Sequence, residues 1–320
     1  MEASLGIDIA KAKFAAALLT SDGKVRHKSC ANTPAGFADL AAWLQRQHVS
    51  TVHACLEATG TYGDALATWL HDAGHVVSVV NPAIIHAYAR TQLARSKTDR
   101  LDAALIARFT ATQQPPAWAP PAPAIRQLQA LVRRLDALQG MRTQELNRLE
   151  AGVAVADVRA SIEAVLANLD AQIAHVKQLI RDHLDRHPGL RAQRELLTTI
   201  PGIGETTAAV LIAELFDKSY ASARQAAAFA GLVPRMIESG TLRGRSRLSK
   251  IGPSRVRKAL YMPAVAALRW NPTIRAVRAR LHAAGKPPMV ILGAVMRKLI
   301  HLAFGVLKSQ RPYAPPEVTA

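Results

Sequence analysis

A proline-dense stretch, "QQPPAWAPPAPA" from Gln113 to Ala124, divides this chain of 320 residues. Each proline lacks a backbone N–H and fixes φ, so no helix runs through the stretch and the two sides read as separate domains. Before it, strand and helix signals alternate. "SLGIDIA" is a short apolar strand interrupted by one acid, "KFAAALLT" is its partner, and "SDGK" turns the chain into "VRHKSCAN". That makes a three-stranded meander. Pro34 then opens an amphipathic helix through Gln47, "VHACLEATG" is a buried strand, Tyr62 to Ala73 a helix and "HVVSVVNP" another strand. A last helix runs from about Asp99 to Thr112, with Asp99 near its N-terminus, where a negative charge is favoured.

The order β-β-β-α-β-α-β-α is the pattern of an α/β RNase H-like fold, predicted over residues 1–112. Beyond the prolines the period changes. Leu128, Leu131, Leu135 and Leu138 repeat at three-and-four spacing, as do Ile162, Leu166, Leu169, Ile173, Val176 and Ile180. Two long helices follow over 125–190, an antiparallel hairpin or coiled coil serving as a spacer or a dimerisation arm. "LLTTIPGIGETTAAVLIAELF", Leu196 to Phe216, reads as two helices around a tight turn, the helix-hairpin-helix pattern. Its Gly202 and Gly204 let backbone approach a phosphate, and the next helix points its N–H groups at it. The same turn also serves simply to join two packed helices. Residues 191–320 thus form a mainly α domain.

Charge says more by its position than by its sum of +18. From Val233 to Ala320 there are 17 Lys and Arg and 2 acidic residues, a balance of +15, which leaves +3 for everything before. The last quarter is a polyanion-binding surface, and nucleic acid is the partner it fits, because each phosphate contact releases condensed counterions. With 5% aromatic residues overall, backbone contact fits better than stacking on single strands. The tract is rich in Gly, Ser and Pro rather than amphipathic, which disfavours a membrane surface. The longest apolar runs read as far short of the roughly 20 residues of a membrane helix, and Glu2 and Asp8 stand where a signal peptide would be basic and then apolar. The expected location is the cytoplasm. Cys30 and Cys55 are too few for a disulfide framework and read as small core residues.

Four acids of the first domain fall in unusual places. Asp8 interrupts a buried strand, Glu57 ends another, and Asp99 and Asp102 lie three apart on one helical face. Carboxylates converging on one point repel unless cations neutralise them, and hard oxygen ligands suit Mg²⁺ or the similar Mn²⁺. The plainer reading makes Asp99 an N-cap and Asp102 a surface acid paired with Arg100 or Arg108. It leaves Asp8 and Glu57 unexplained.

Taken in order, "GIDIAKAKF", "EATGTYG", "KTDRLDA", "IPGIG", "FAGLVPR", "SG" and "RLSKIGPSRVRKAL" resemble the insertion-sequence-110 family of DEDD transposases, relatives of the pilin-gene invertase Piv. The motifs run from the first strand to beyond Leu260. The resemblance implies a RuvC-like domain whose DEDD acids are Asp8, Glu57, Asp99 and Asp102, a coiled-coil middle, and a transposase domain with a serine nucleophile in the Ser-Gly motif, Ser239 here. It implies a bacterial protein at the nucleoid, and recombination guided by a bridge RNA that pairs with target and donor DNA while the protein reads backbone and shape. Tyr62 and Lys97 stand inside matching motifs, and Ser246, Ser249 and Ser254 lie near Ser239.

Serine attack on a phosphodiester conserves bond energy in a phosphoserine link, so strands can be rejoined without ATP. The expected site joins acid-bound Mg²⁺ to Ser239, with Arg243, Arg245, Arg247 and Lys250 steadying phosphates and Arg255, Arg257 and Lys258 extending the basic grip. Sharing domains between subunits would require a homo-oligomer, a dimer or tetramer. Two rivals differ in chemistry. One is a Mg²⁺ endonuclease of the Holliday-junction resolvase type, with water as nucleophile; the other is a non-catalytic DNA-binding protein on an old nuclease fold.

Overall fold

The computed structural model describes residues 3–58, 60–92, 98–239 and 242–315, apart from the side chains of 237–239 and 242–246. The chain forms two compact units that meet in sequence at Pro120 and Pro121. In the first, β1 (Ala3–Ile9), β2 (Lys13–Leu19) and β3 (Val25–Ala31) are the expected meander, followed by α1 (Pro34–Arg46), β4 (Val52–Glu57), α2 (Asp64–Asp72), β5 (Val76–Val80), α3 (Pro82–Thr91) and α4 (Asp99–Gln113). The sheet order is β3-β2-β1-β4-β5, antiparallel across the meander and parallel from β1 through β4 to β5. This is the RNase H-like arrangement. Sequence reading passed over α3, which Asn81 caps and Pro82 opens.

Alternation along β1 decides both faces. Leu5, Ile7 and Ile9 turn into a core with Phe37 and Leu40 of α1 and Leu66 and Leu70 of α2. Gly6 and Asp8 turn the other way, where Ala103, Ile106 and Ala107 of α4 cover the sheet. Both cysteines are buried, and burial pushes the Cys55 thiol up to about 12, so it is an inert core group.

The proline stretch is more than a spacer. The Trp118 amide donates to the Val77 carbonyl at 2.6 Å, and the Ser78 hydroxyl reaches the Pro115 and Pro116 carbonyls at 3.0 and 2.9 Å. It therefore runs as a strap along edge strand β5, covering backbone groups that would otherwise template another strand.

In the second unit, α5 (Pro123–Glu150) and α6 (Ala156–Arg186) pair antiparallel: Arg142 bonds Asp170 at 2.6 Å, and His183, near the far end of α6, reaches the Ala124 carbonyl at 2.8 Å. After them come α7 (Pro188–Thr198), α8 (Glu205–Glu214), α9 (Ala223–Phe229), the hairpin β6 (Pro234–Ser239) and β7 (Leu242–Leu248), α10 (Ser254–Trp270), α11 (Pro272–Ala283) and α12 (Pro288–Ser309). One hydrophobic core spans Leu128 to Val306, the long helices included.

Two expectations change. The basic tract, placed in a domain expected to be mainly α, is a β-hairpin; Arg, Ser and Gly give no apolar alternation, so its pairing rests on the backbone ladder. The apolar runs, read as too short for a membrane, include α12, whose 22 residues are long and apolar enough to cross one by length and composition. Arg297 and Lys298 interrupt the run in sequence, but the helix continues through them. Its Ile291, Val295, Leu299 and Ala303 fill the second unit's core.

His183 is fully buried, and burial, reinforced by His187 and Arg186, pulls its pKa below the usual 6.5. Above that value both folded and unfolded states are neutral; below it the unfolded chain takes a proton that the folded chain refuses. Melting temperature is therefore expected to fall as pH drops below about 6.5. His183→Gln, which keeps a donor for the Ala124 carbonyl, should flatten part of that slope in a thermal-melt series across pH.

Candidate active site

The four acids reach one rim of the first unit by separate routes. In the parallel ladder Ile7 pairs with Leu56, so the next residues, Asp8 and Glu57, are neighbours on the same face at the strands' C-terminal ends. Helix α4 lies on this face at unusually short range. A Cβ at Gly6 would stand 2.1 Å from the Ala103 carbonyl oxygen and 2.2 Å from the Ala107 nitrogen, an approach only glycine permits. The first turn of α4 lies at the rim, because Asp99 pairs at 3.2 Å with Lys13, just past the end of the β1–β2 pairing. Thr98, rather than Asp99, caps α4, its hydroxyl accepting from the Leu101 amide at 3.2 Å. Asp102 is half-buried one turn in.

Asn32 was not singled out in the sequence. Its side-chain amide donates to the Ala10 carbonyl at 3.2 Å and the Tyr62 carbonyl at 3.0 Å, tying the exit of β1 to the turn after β4. Gly6 could have been found, since a glycine inside an apolar strand signals close backbone approach. Lys97 lies outside the described residues.

Hard carboxylate oxygens from three elements are a donor set suited to a divalent cation. Among the described residues no three His, Cys, Asp or Glu side chains stand together closely enough to hold one, and Asp99 is paired with Lys13 instead.

In the second unit Ser239 is the last residue of β6, paired with Leu242 beyond a bulge that follows Ile237. Its side chain, those of Arg243 and Arg245, and Gly240 lie outside the described residues. Arg247 is exposed directly across from exposed Arg235, a like-charge pair that repels unless an anion lies against it. Lys250 is exposed in the left-handed region at φ 55°, its amide donating to the Gly231 carbonyl at 3.0 Å. Nearby, the Ser249 hydroxyl accepts from the Ile251 amide at 3.4 Å, and Ser254 begins α10.

Three expected phosphate contacts have partners inside the fold. Arg257 donates to the Ala230 carbonyl at 3.1 Å and the Gly252 carbonyl at 3.0 Å, joining "FAGLVPR" to "SKIG" at the hairpin's root. At that root a Cβ on Gly252 would meet the Phe229 carbonyl at 1.8 Å. Arg255 bonds Glu214 at 2.8 Å and faces Asp136 at 3.6 Å; Lys258 also bonds Asp136. Glu214 is buried and takes a second guanidinium from Arg133 at 3.2 Å, so α5, α8 and α10 share one ionic knot. The glycines of the turn diverge. Gly202 packs on α10, where a Cβ would meet the Pro263 carbonyl at 2.8 Å, whereas Gly204, preceding α8, is open.

Three substitutions separate scaffold from surface. Gly6→Ala is expected to destabilise the first unit by about 1–3 kcal/mol through overpacking. Arg257→Ala should cost the second about 1–3 kcal/mol in the absence of any nucleic acid, by stranding two carbonyls. Arg247→Ala, a surface change, should stay within about 0.5 kcal/mol. Thermal or urea unfolding of each variant checks all three.

Comparison with known proteins identifies the family. Residues 5–155 match a DEDD transposase family of the IS110 type, and residues 194–278 match the family described as Transposase IS116/IS110/IS902. The chain is 34% identical to the pilin gene-inverting protein of Moraxella bovis over 314 residues, 97% of each chain, and equally so to that of Moraxella lacunata. It is 27% identical to the transposase for insertion sequence element IS1328 of Yersinia enterocolitica over 245 residues, 67% of this chain and 71% of that one. A match along both units and nearly the whole length leaves one assignment: the chain is a DNA recombinase enzyme belonging to the IS110 family of transposases.

Proposed function

We propose that this transposase breaks and rejoins DNA strands through Ser239, with Mg²⁺ or Mn²⁺ held by Asp8, Glu57, Asp99 and Asp102, working as a homo-oligomer and guided by a bridge RNA. The observation that carries the reading is the delivery of acids by β1, β4 and α4 to one rim, with α4 seated by a contact that only Gly6 allows. Isolated surface carboxylates have no need of that register.

When bound, the cation would supply Lewis-acid stabilisation of charge on the scissile phosphate. The chain's own residues do the rest. Asp99, now paired with Lys13, would instead help to hold the metal, and Asn32 keeps the strand exit and the following turn in place. The Ser239 oxygen forms a bond to phosphorus as a phosphodiester oxygen leaves, and its proton passes to a base. Reversal of the step by a strand end restores the serine and joins the new partner strand. Arg235, Arg247 and Lys250 lie on or beside the hairpin that carries Ser239, and their uncompensated charge suits phosphate. A guide RNA would supply sequence recognition, for which a basic, backbone-reading protein is suited.

The test expresses the gene with its native flanking DNA, incubates with Mg²⁺, denatures the protein and looks for DNA attached to the peptide containing Ser239. The adduct is expected to fall by about three orders of magnitude or more in both Ser239→Ala and Asp102→Ala while DNA binding persists. Cleaved DNA without adduct, unchanged by Ser239→Ala, would make water the nucleophile. RNA guidance is checked by nuclease treatment: removal of copurifying RNA should abolish cleavage, and adding it back should restore it.

A further inference from the structure

Trp270 is out of place for a core residue. Of the four tryptophans, Trp43 is buried and Trp69 and Trp118 pack against the first unit's core, whereas Trp270, at the end of α10, is 66% exposed. Its position is nonetheless fixed. The next residue, Asn271, is fully buried: its side-chain amide donates to the Pro201 carbonyl at 3.3 Å, while its oxygen accepts from the Ile274 amide at 3.2 Å and the Tyr313 hydroxyl at 3.0 Å. One buried residue thus holds the α10–α11 corner against the turn between α7 and α8. Pro263, seven residues before Trp270 and on the same helical face, touches Gly202 of that turn.

The surroundings select the occupant. The Arg269 guanidinium lies 4.8 Å from the Trp270 ring centroid, stacked over the indole. On α11, which starts immediately afterwards, Arg275, Arg278 and Arg280 are exposed and have no ion pair among the described residues. No acidic residue occurs in the sequence between Glu238 and Glu317. Close by, the open Gly204 precedes the N-terminus of α8, whose N–H groups also favour an anion. A flat aromatic face set in uncompensated positive charge has the complementarity of a nucleotide: a base to stack and a phosphate to bind.

We propose that Trp270, backed by Arg269, is a stacking platform for an unpaired nucleobase, and that the α10–α11 corner binds single-stranded or flipped-out nucleic acid in preference to duplex. This goes beyond the expectation of pure backbone contact and rests on the reading that the chain handles nucleic acid. Within a duplex both faces of each base are already stacked, so the platform discriminates against it.

The full-length protein is titrated with a single-stranded oligothymidylate and with a duplex of equal length at one salt concentration, following tryptophan emission and affinity. Quenching on single-strand binding is expected, with the quenched component missing in Trp270→Phe. Trp270→Ala should weaken single-strand binding about ten-fold and leave duplex binding unchanged, whereas Trp270→Phe should keep most of the affinity. Equal loss for both ligands, no loss for either, or shielding of Trp270 that tracks protein concentration without nucleic acid would overturn the proposal, the last pointing to a second copy of the chain. The Ser239 adduct is measured in parallel. An intact adduct with no single-strand effect sinks only this inference, and an absent adduct with the effect preserved sinks only the serine chemistry.

Discussion

The contact between α4 and β1 at Gly6 governs the first unit. Without a side chain there, the helix backbone comes down onto the strand, and its first turn, bearing Asp99 and Asp102, lies at the level of Asp8 and Glu57. A larger residue would lift the helix and separate acids that belong to different elements. These acids stay at the edge, where Asp8, Glu57 and Asp102 are half-buried and Asp99 is exposed to solvent and to Lys13.

The second unit solves a different problem, that of holding a strongly basic segment in place with few acids. The acids it has are concentrated. Glu214 and Asp136 receive Arg133, Arg255 and Lys258, so three helices are joined by five side chains, and the basic groups left over belong to the surface. Arg257 makes no use of acid at all, bonding backbone carbonyls where α9, the hairpin and α10 meet. Basic residues adjacent in sequence therefore split into internal ties and exposed contacts, a distinction that burial and hydrogen bonding make and charge counting does not.

Much of the first unit was legible because its signals are local: the short apolar runs of β1 and β4, the meander's turn, and Pro34 opening α1 all act within a few residues. Asp8 and Glu57 stood out because one interrupts and the other ends an apolar run, and Asp99 and Asp102 because they lie three apart at a helix start. Asn32 did not, because its role is to bridge two carbonyls 22 and 30 residues away in sequence. The hairpin was missed for the converse reason, since its strands carry no apolar face to read. In α12, Arg297 and Lys298 break the apolar run in sequence while the helix continues through them. Arg255 and Lys258 read as phosphate contacts because their acidic partners come from α5 and α8, far away in the chain.

The long stretch without acids between Glu238 and Glu317 has an energetic consequence of its own. Hairpin, α10, α11 and α12 are assembled from segments that repel one another, and in dilute salt that repulsion works against the folded unit. Added ions screen it, so salt should strengthen the fold by the same screening that loosens its hold on phosphate. A polyanion relieves the repulsion without dilution of the contact. A nucleic acid bound to this part of the molecule would also be a counterion, and folding and binding would then draw on a single electrostatic free energy.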